Sequence, residues 1–205
     1  VYPGYDAKEG YELAGFVWFQ GWNDMVNSGV YPNRSKPGGY DKYSEALAHF
    51  IRDVRKDLSA PKMPFVIGVM GAGGPVSAYG PSQQRYASTH TGFRKAMAAP
   101  AALPEFQGNV TAVWTENYWD MELTKLRAQD KEIQKAVDAA IKEGKMEGKD
   151  KKTELEKRRA KAFDKREREI LANGASNAEF HYLGSAKILG QIGKAFAEAL
   201  VAMDK

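Results

Sequence analysis

Gly21, Trp22, Asn23 and Asp24 follow directly on an apolar run, Phe16-Val17-Trp18-Phe19, with Gln20 between them. Gly21 leaves a backbone N–H open to close approach, and Asn23 carries an amide N–H donor. Two such donors converging on one point make an oxyanion hole for acyl transfer. The same four residues also read as a plain turn, because Gly, Asn and Asp are turn formers. His181, in SNAEFHYLGSAKI (176–188), is the second chemical group. A histidine at the mouth of an α/β sheet serves as a general base, with Glu179 or Asn177 to orient the ring; its competing reading is a helix-start residue satisfied locally. The third cluster is Glu116, Asn117, Tyr118, Trp119 and Asp120. Aromatics beside carboxylates suit sugar binding and suit a buried loop anchor equally, and Trp22 and Tyr79 carry the same two readings. An acid/base pair of Asp24 and Glu116 is a separate hydrolytic possibility.

Composition removes several chemistries. There is no cysteine, which excludes disulfides, thiolate metal sites and a Cys nucleophile. His49, His90 and His181 lie far apart, with no ligand spacing among them, so no metal and no cofactor is expected. The net charge of +4 is confined to residues 142–169, which hold twelve Lys or Arg and eight Asp or Glu. Interspersed signs with Phe163 as the lone aromatic describe a solvated helical face rather than a nucleic-acid surface. No apolar run approaches the ~18 residues of a membrane span.

Three elements must position the candidate groups. The runs Ala14–Gln20, Pro64–Gly71 and Asn109–Glu116 are continuously apolar and β-rich, as expected of strands buried on both faces of a parallel sheet. Between them, Asp41–Leu58 places Tyr43, Leu47, Phe50, Ile51, Val54 and Leu58 on a 3.6-residue period. Gln83–Ala98 is a weaker helix, ended by Pro100 and Pro104. A last helix from about Leu183 to Met203 carries Ile188, Ile192, Phe196 and Leu200, with Gly184, Gly190 and Gly193 as sites of close packing. This alternation predicts a single doubly wound α/β domain over 1–205. Residues 121–171 interrupt it as a charged helical hairpin. Its halves meet near Gly144–Gly148 and face each other through Leu126, Ile133, Val137, Ile141 and through Leu155, Phe163, Ile170. The long loops 26–42 and 72–82 follow strand carboxyl ends, where ligands of open α/β sheets bind.

GFVWFQGWNDM (15–25) resembles the third conserved block of the SGNH hydrolases, closest to the carbohydrate esterase and sialate O-acetylesterase-like branch. FHYLGSAKILGQIGKAFAEAL resembles the last block of that family, in which the catalytic His precedes the final helix. YPNRSKPGGYDKYSEALAHFIRDVRKDL and PFVIGVMGAGGP resemble the same branch in bacterial proteins. The resemblance implies a three-layer, flavodoxin-like α/β/α fold and an esterase that deacetylates sugars or glycans. It implies oxyanion donors at Gly21 and Asn23, His181 as base with Glu179 or Asn177 behind it, and substrate contacts from Gln20, Trp22, Asp24, Glu116 and Tyr118. It also implies a secreted or periplasmic protein.

Three departures qualify it. Trp22 stands where many members have Glu, and Ala178 stands where the orienting acid belongs. No serine has the Gly-Asp-Ser or Gly-Gln-Ser-Asn context of the family nucleophile; Ser82, in Gly80-Pro81-Ser82, is the nearest. The expectation is a carboxy-terminal part of a longer hydrolase, lacking the first two strands. That would bare one edge of the strand at 14–20, and bare apolar edges pair with other chains. A homodimer or a partner segment along that edge is expected; a non-catalytic carbohydrate-binding module is the alternative function.

Overall fold

The computed structural model describes residue 4 and residues 6–203. Three β-rich runs form β1 (Phe16–Trp18), β2 (Phe65–Val69) and β3 (Val110–Trp114). They make one parallel sheet in the order β1-β2-β3. Phe16 pairs with Phe65, and Phe65 with Val110. All five residues of β2 are buried, as expected of a strand flanked on both sides. β1 and β3 depart from the expectation of full burial: Val17 is 38 % exposed, and four of the five β3 residues are half-buried. They are the edge strands of this sheet, so their apolar character serves one face more than the other.

Helices α1 (Trp22–Val26), α2 (Asp41–Asp57) and α3 (Ala87–Ala98) follow the first two strands. The periodic stripe of α2 buries Tyr43, Leu47 and Ile51, and Phe50 lies against Phe16 and Phe65 at ring-centre distances of 5.9 and 6.2 Å. Leu58, at the end of that stripe, is 40 % exposed. Arg55 shares the stripe although it is charged. Its guanidinium is buried and donates to the carbonyls of Met63 and Asn109 and to Asn109 Oδ1. It thereby ties the end of α2 to the residues entering β2 and β3. α3 starts later than its sequence suggests, after a 3-10 turn at Gln84–Tyr86, and buries Phe93 and Met97 completely.

Different helices meet the two sides of β2. Phe65 meets Phe50 of α2. A Cβ on Gly68 would sit 2.7 Å from Phe196, a residue of α7 (Ala186–Met203). Close packing of this helix was expected from its own glycines, but Gly190 and Gly193 face open space. The room is made on the other partner, at Gly68 and at Gly15, where a Cβ would meet Leu200 at 2.5 Å.

The chain forms two compact units. One holds the residues up to Gly71, Pro75–Asn117 and those from Ile192 onward; the other holds Ala72–Gly74 and Tyr118–Gln191. The second unit contains α4 (Met121–Lys142), α5 (Lys151–Ala162) and α6 (Lys165–Asn173). The expected second half of the hairpin is thus two helices, not one. Phe163 is extended and buried, and Asp164 starts α6 with a capping box. Its carboxylate accepts from the Glu167 N–H, and the Glu167 carboxylate accepts from the Asp164 N–H. Two orphan donors at the helix start are satisfied reciprocally, which fixes the break. Asp130 of α4, buried among charged neighbours, accepts two hydrogen bonds from Arg159 of α5 at 2.6 and 2.7 Å.

Candidate active site

The sheet delivers Gln20 to Asp24 as β1 gives way to α1. Gly21 is the N-cap of that helix, and its carbonyl accepts the first helical bond from Met25. A Cβ at Gly21 would lie 2.8 Å from the Phe93 ring, so only glycine lets α3 approach this turn so closely. Asn23 is exposed, and no side-chain hydrogen bond occupies its amide among the described residues. The Asp24 carboxylate accepts from Gln20 Nε2 at 3.1 Å, which holds Gln20 and Asp24 together rather than toward separate ligands. Tyr43 from α2 donates to the Gln20 carbonyl at 3.3 Å.

Beside this turn lies a network that sequence reasoning did not assemble. Arg94 is buried and forms an ion pair with Glu116. It also donates to the Tyr79 phenol oxygen at 3.1 Å, and that oxygen lies 2.5 Å from Nδ1 of His90. Arginine only donates, so the phenol oxygen accepts from Arg94; the direction of its bond to Nδ1 is set by the tautomer of the imidazole. Burial, and then the positive charge of Arg94, lower its pKa from 6.5 to about 4. The ring meets Trp22 edge-on at 6.4 Å and stacks with Tyr86 at 6.0 Å. The available signal was local: His90 and Arg94 are four residues apart on one helix face, opposite a loop tyrosine.

Glu116, one of the expected substrate contacts, is thereby committed to Arg94. Its backbone is crowded too, since a Cβ on Gly71 would fall 1.9 Å from the Glu116 nitrogen. The ion pair suits the loop-anchor reading. The same applies in the second unit to the end of that cluster. Trp119 is buried with its Nε1 donating to Thr124 Oγ1 at 2.8 Å. Asp120 caps α4 by accepting from the Leu123 N–H and pairs with Lys187 at 2.8 Å. Tyr118 is half-buried.

His181 lies in the second unit, on an irregular 3-10 turn over Glu179–Gly184. Tyr182 and Leu183 adopt positive φ values of 52° and 60°, a left-handed conformation costly for bulky residues. The turn is held shut by the Leu183 carbonyl, which accepts from the N–H groups of Ser176 and Asn177 at 2.7 and 2.9 Å. The exposed imidazole has its Nδ1 3.1 Å from Asn177 Oδ1. That oxygen also accepts from the Ala178 N–H at 2.8 Å, so it is an acceptor toward His181 and Nδ1 carries the proton. Nε2 is left with its lone pair, as a general base requires. Of the two expected partners, Asn177 makes this contact; Glu179 is exposed at the start of the turn, and no hydrogen bond joins it to His181 among the described residues.

Ser82 lies on an exposed turn where the Gln83 N–H donates to the Gly80 carbonyl. No histidine hydrogen-bonds its hydroxyl among the described residues. Among those residues no cluster of three or more His, Asp or Glu could hold a metal ion, and no helix is long and apolar enough to cross a membrane.

Curated proteins and solved structures gave no match to the chain. A family model did match. Its segment runs through β1, the Gly21–Asp24 turn, α2, β2, Tyr79 and the His90–Arg94 face, and stops short of Glu116 and His181. Residues 5–102 match the family described as carbohydrate esterase, sialic acid-specific acetylesterase, in agreement with the resemblance carried by the sequence itself.

Proposed function

We propose that this chain hydrolyses acetyl esters on carbohydrates, with the Gly21 N–H and the Asn23 amide as oxyanion donors and His181 as general base. The observation that carries this reading is the exposed, uncommitted amide of Asn23 beside Gly21, inside the segment that matches the acetylesterase family. A developing negative charge on the ester oxygen would meet these two donors, and His181 Nε2 would take the proton of the attacking hydroxyl. We read the sheet as part of a flavodoxin-like, three-layer α/β/α arrangement. The attacking serine would come from a segment pairing along the open edge of β1, which has a strand partner on one side only.

Acetate release from β-D-xylose tetraacetate with the serine-bearing segment present, followed by titration, tests the reading. Asn23→Ala is expected to lower turnover by about 10²- to 10³-fold, the usual effect of losing one oxyanion donor. His181→Ala is expected to abolish it. Unchanged turnover in both variants would falsify the assignment. A second reading, a carbohydrate-binding module, is favoured by Ser82, whose hydroxyl no histidine hydrogen-bonds among the described residues. It predicts binding of the acetylated sugar with no acetate released even when the serine-bearing segment is present.

A further inference from the structure

The network ending at His90 is more elaborate than a packing role needs. Arg94 is buried and its charge is neutralised by Glu116. Its guanidinium also donates to Tyr79, whose phenol oxygen lies 2.5 Å from His90 Nδ1. Nδ1 is thereby engaged, so Nε2 is the nitrogen of the ring left for a ligand. No hydrogen bond joins it to protein among the described residues. It sits on a half-buried ring between two further aromatic side chains. Tyr86, 44 % exposed, stacks parallel to it, and Trp22 stands edge-on beside it. Trp22 directly precedes Asn23, so this surface adjoins the oxyanion turn within the same unit.

We infer that His90, Trp22 and Tyr86 form a subsite for an uncharged sugar ring, in which His90 Nε2 hydrogen-bonds a hydroxyl of the carbohydrate. The inference rests on the carbohydrate-ester reading of the adjoining turn and adds the place where the sugar lies. The chemistry favours a neutral ligand. The charge of Arg94 is paired with Glu116, the imidazole is neutral at physiological pH, and Arg85, the nearby cation, lies over the Tyr86 ring at 4.7 Å. Aromatic rings with a negative face suit the polarised C–H face of a pyranose, and one ring nitrogen, held in place through Nδ1, sets its orientation.

Two-bond ¹H–¹⁵N spectra of His90 test this without requiring turnover. The free protein should show a single neutral tautomer, and Tyr79→Phe should convert this to a mixture of tautomers. Titration with a partially acetylated xylose, which keeps free hydroxyls, should shift the His90 Nε2 resonance. His90→Phe, which keeps the aromatic stack and removes the ring nitrogens, should weaken binding roughly three- to tenfold, the effect of one hydrogen bond. Binding that shifts Asn23 but leaves His90 unmoved, or that His90→Phe leaves equally tight, overturns the subsite while the reading of the turn stands. Failure of the sugar to bind at millimolar concentration overturns the subsite as well. The turnover test on Asn23 and His181 decides the underlying reading on its own, whatever His90 does.

Discussion

Asn177 holds His181 by an uncharged acceptor: its Oδ1 lies 3.1 Å from Nδ1 of the ring while accepting from the Ala178 N–H at 2.8 Å. An amide fixes the tautomer as a carboxylate would, but it adds no negative charge to stabilise the imidazolium that the proposed proton transfer would form. In the proposed reaction Asn177 is therefore a positioning residue. Asn177→Ala should release the ring, so that both tautomers of His181 appear in ¹⁵N spectra and acetate release falls about 10- to 100-fold. Asn177→Asp should restore the single tautomer and raise turnover above the parent. An unchanged tautomer in Asn177→Ala would show that the surrounding turn, not the amide, orients the ring.

His90 should make the first unit sensitive to mild acid. Its pKa is lowered to about 4 in the folded chain, first by burial and then by Arg94, against about 6.5 when unfolded. Between these values the unfolded chain binds more protons, so stability falls as pH drops from about 6.5 toward 4 and levels off below. Because the ring is only half-buried, solvent screening reduces the contribution to about 1–2 kcal/mol. The ring faces Tyr79, Tyr86 and Trp22, with Arg94 as the neighbouring charge, and its share of the acid step adds to that of depressed carboxylates such as Glu105. Urea unfolding at pH 7 and pH 4.5 should show the loss, and His90→Phe should lessen it. A parent chain equally stable at both values would contradict the burial of the ring.

Two glycines at the ends of neighbouring strands should resist alanine for different reasons. At Gly71 the new Cβ would fall 1.9 Å from the Glu116 nitrogen and 2.3 Å from its Cα. Backbone must move, and the Arg94 partner moves with it. At Gly21 the edge of the Phe93 ring stands at 2.8 Å, a side chain that can shift at about 1–3 kcal/mol, but the backbone φ of 158° is one that L residues rarely adopt, so strain remains after the ring has moved. Thermal unfolding should drop by about 10 °C or more for Gly71→Ala and measurably for Gly21→Ala. An unchanged melting temperature in Gly21→Ala would show that this turn tolerates a side chain.

The difference between those glycines was not legible in the sequence, and the reason is general to this chain. β2 and the stripe of α2 could be read because Phe65–Val69 and Tyr43, Leu47, Ile51 express a local period. The turn after β1 and His181 could be read because turn formers and a histidine stand at element ends. What escaped was set by partners distant in sequence. Arg55 and Arg94 look like ordinary surface cations until Asn109 and Glu116 are brought to them. Glu179 looked the equal of Asn177 as a partner for His181, and backbone geometry alone separated them. The break at Phe163–Asp164 was local, yet Asp164 and Glu167 were lost in a run of charges where a capping box does not stand out.

The same charged run hides one pair that matters to the second unit. Asp130 is 11 % exposed at its side chain and accepts two hydrogen bonds from Arg159, with Gln134 donating a third at 2.5 Å. The Arg159 hydrogen bonds are the main reason its pKa lies below the ordinary carboxylate value, against the opposing effect of burial. Removing either partner has unequal consequences. Asp130→Ala leaves Arg159, 35 % exposed, free to return its charge to water. Arg159→Met leaves a mostly buried carboxylate with one amide donor, and an uncompensated charge is the costlier remnant. We expect Arg159→Met to destabilise by about 1–3 kcal/mol and Asp130→Ala by less. The double variant should cost less than the two losses added, because neither charge is then stranded. The depressed carboxylate pKa means that this stability is present above about pH 4 and lost as acid protonates Asp130, so Arg159→Met should also blunt the acid transition. Far-ultraviolet circular dichroism during urea and acid unfolding follows both effects through the helical signal. Strict additivity in the double variant would show that Asp130 and Arg159 do not depend on one another.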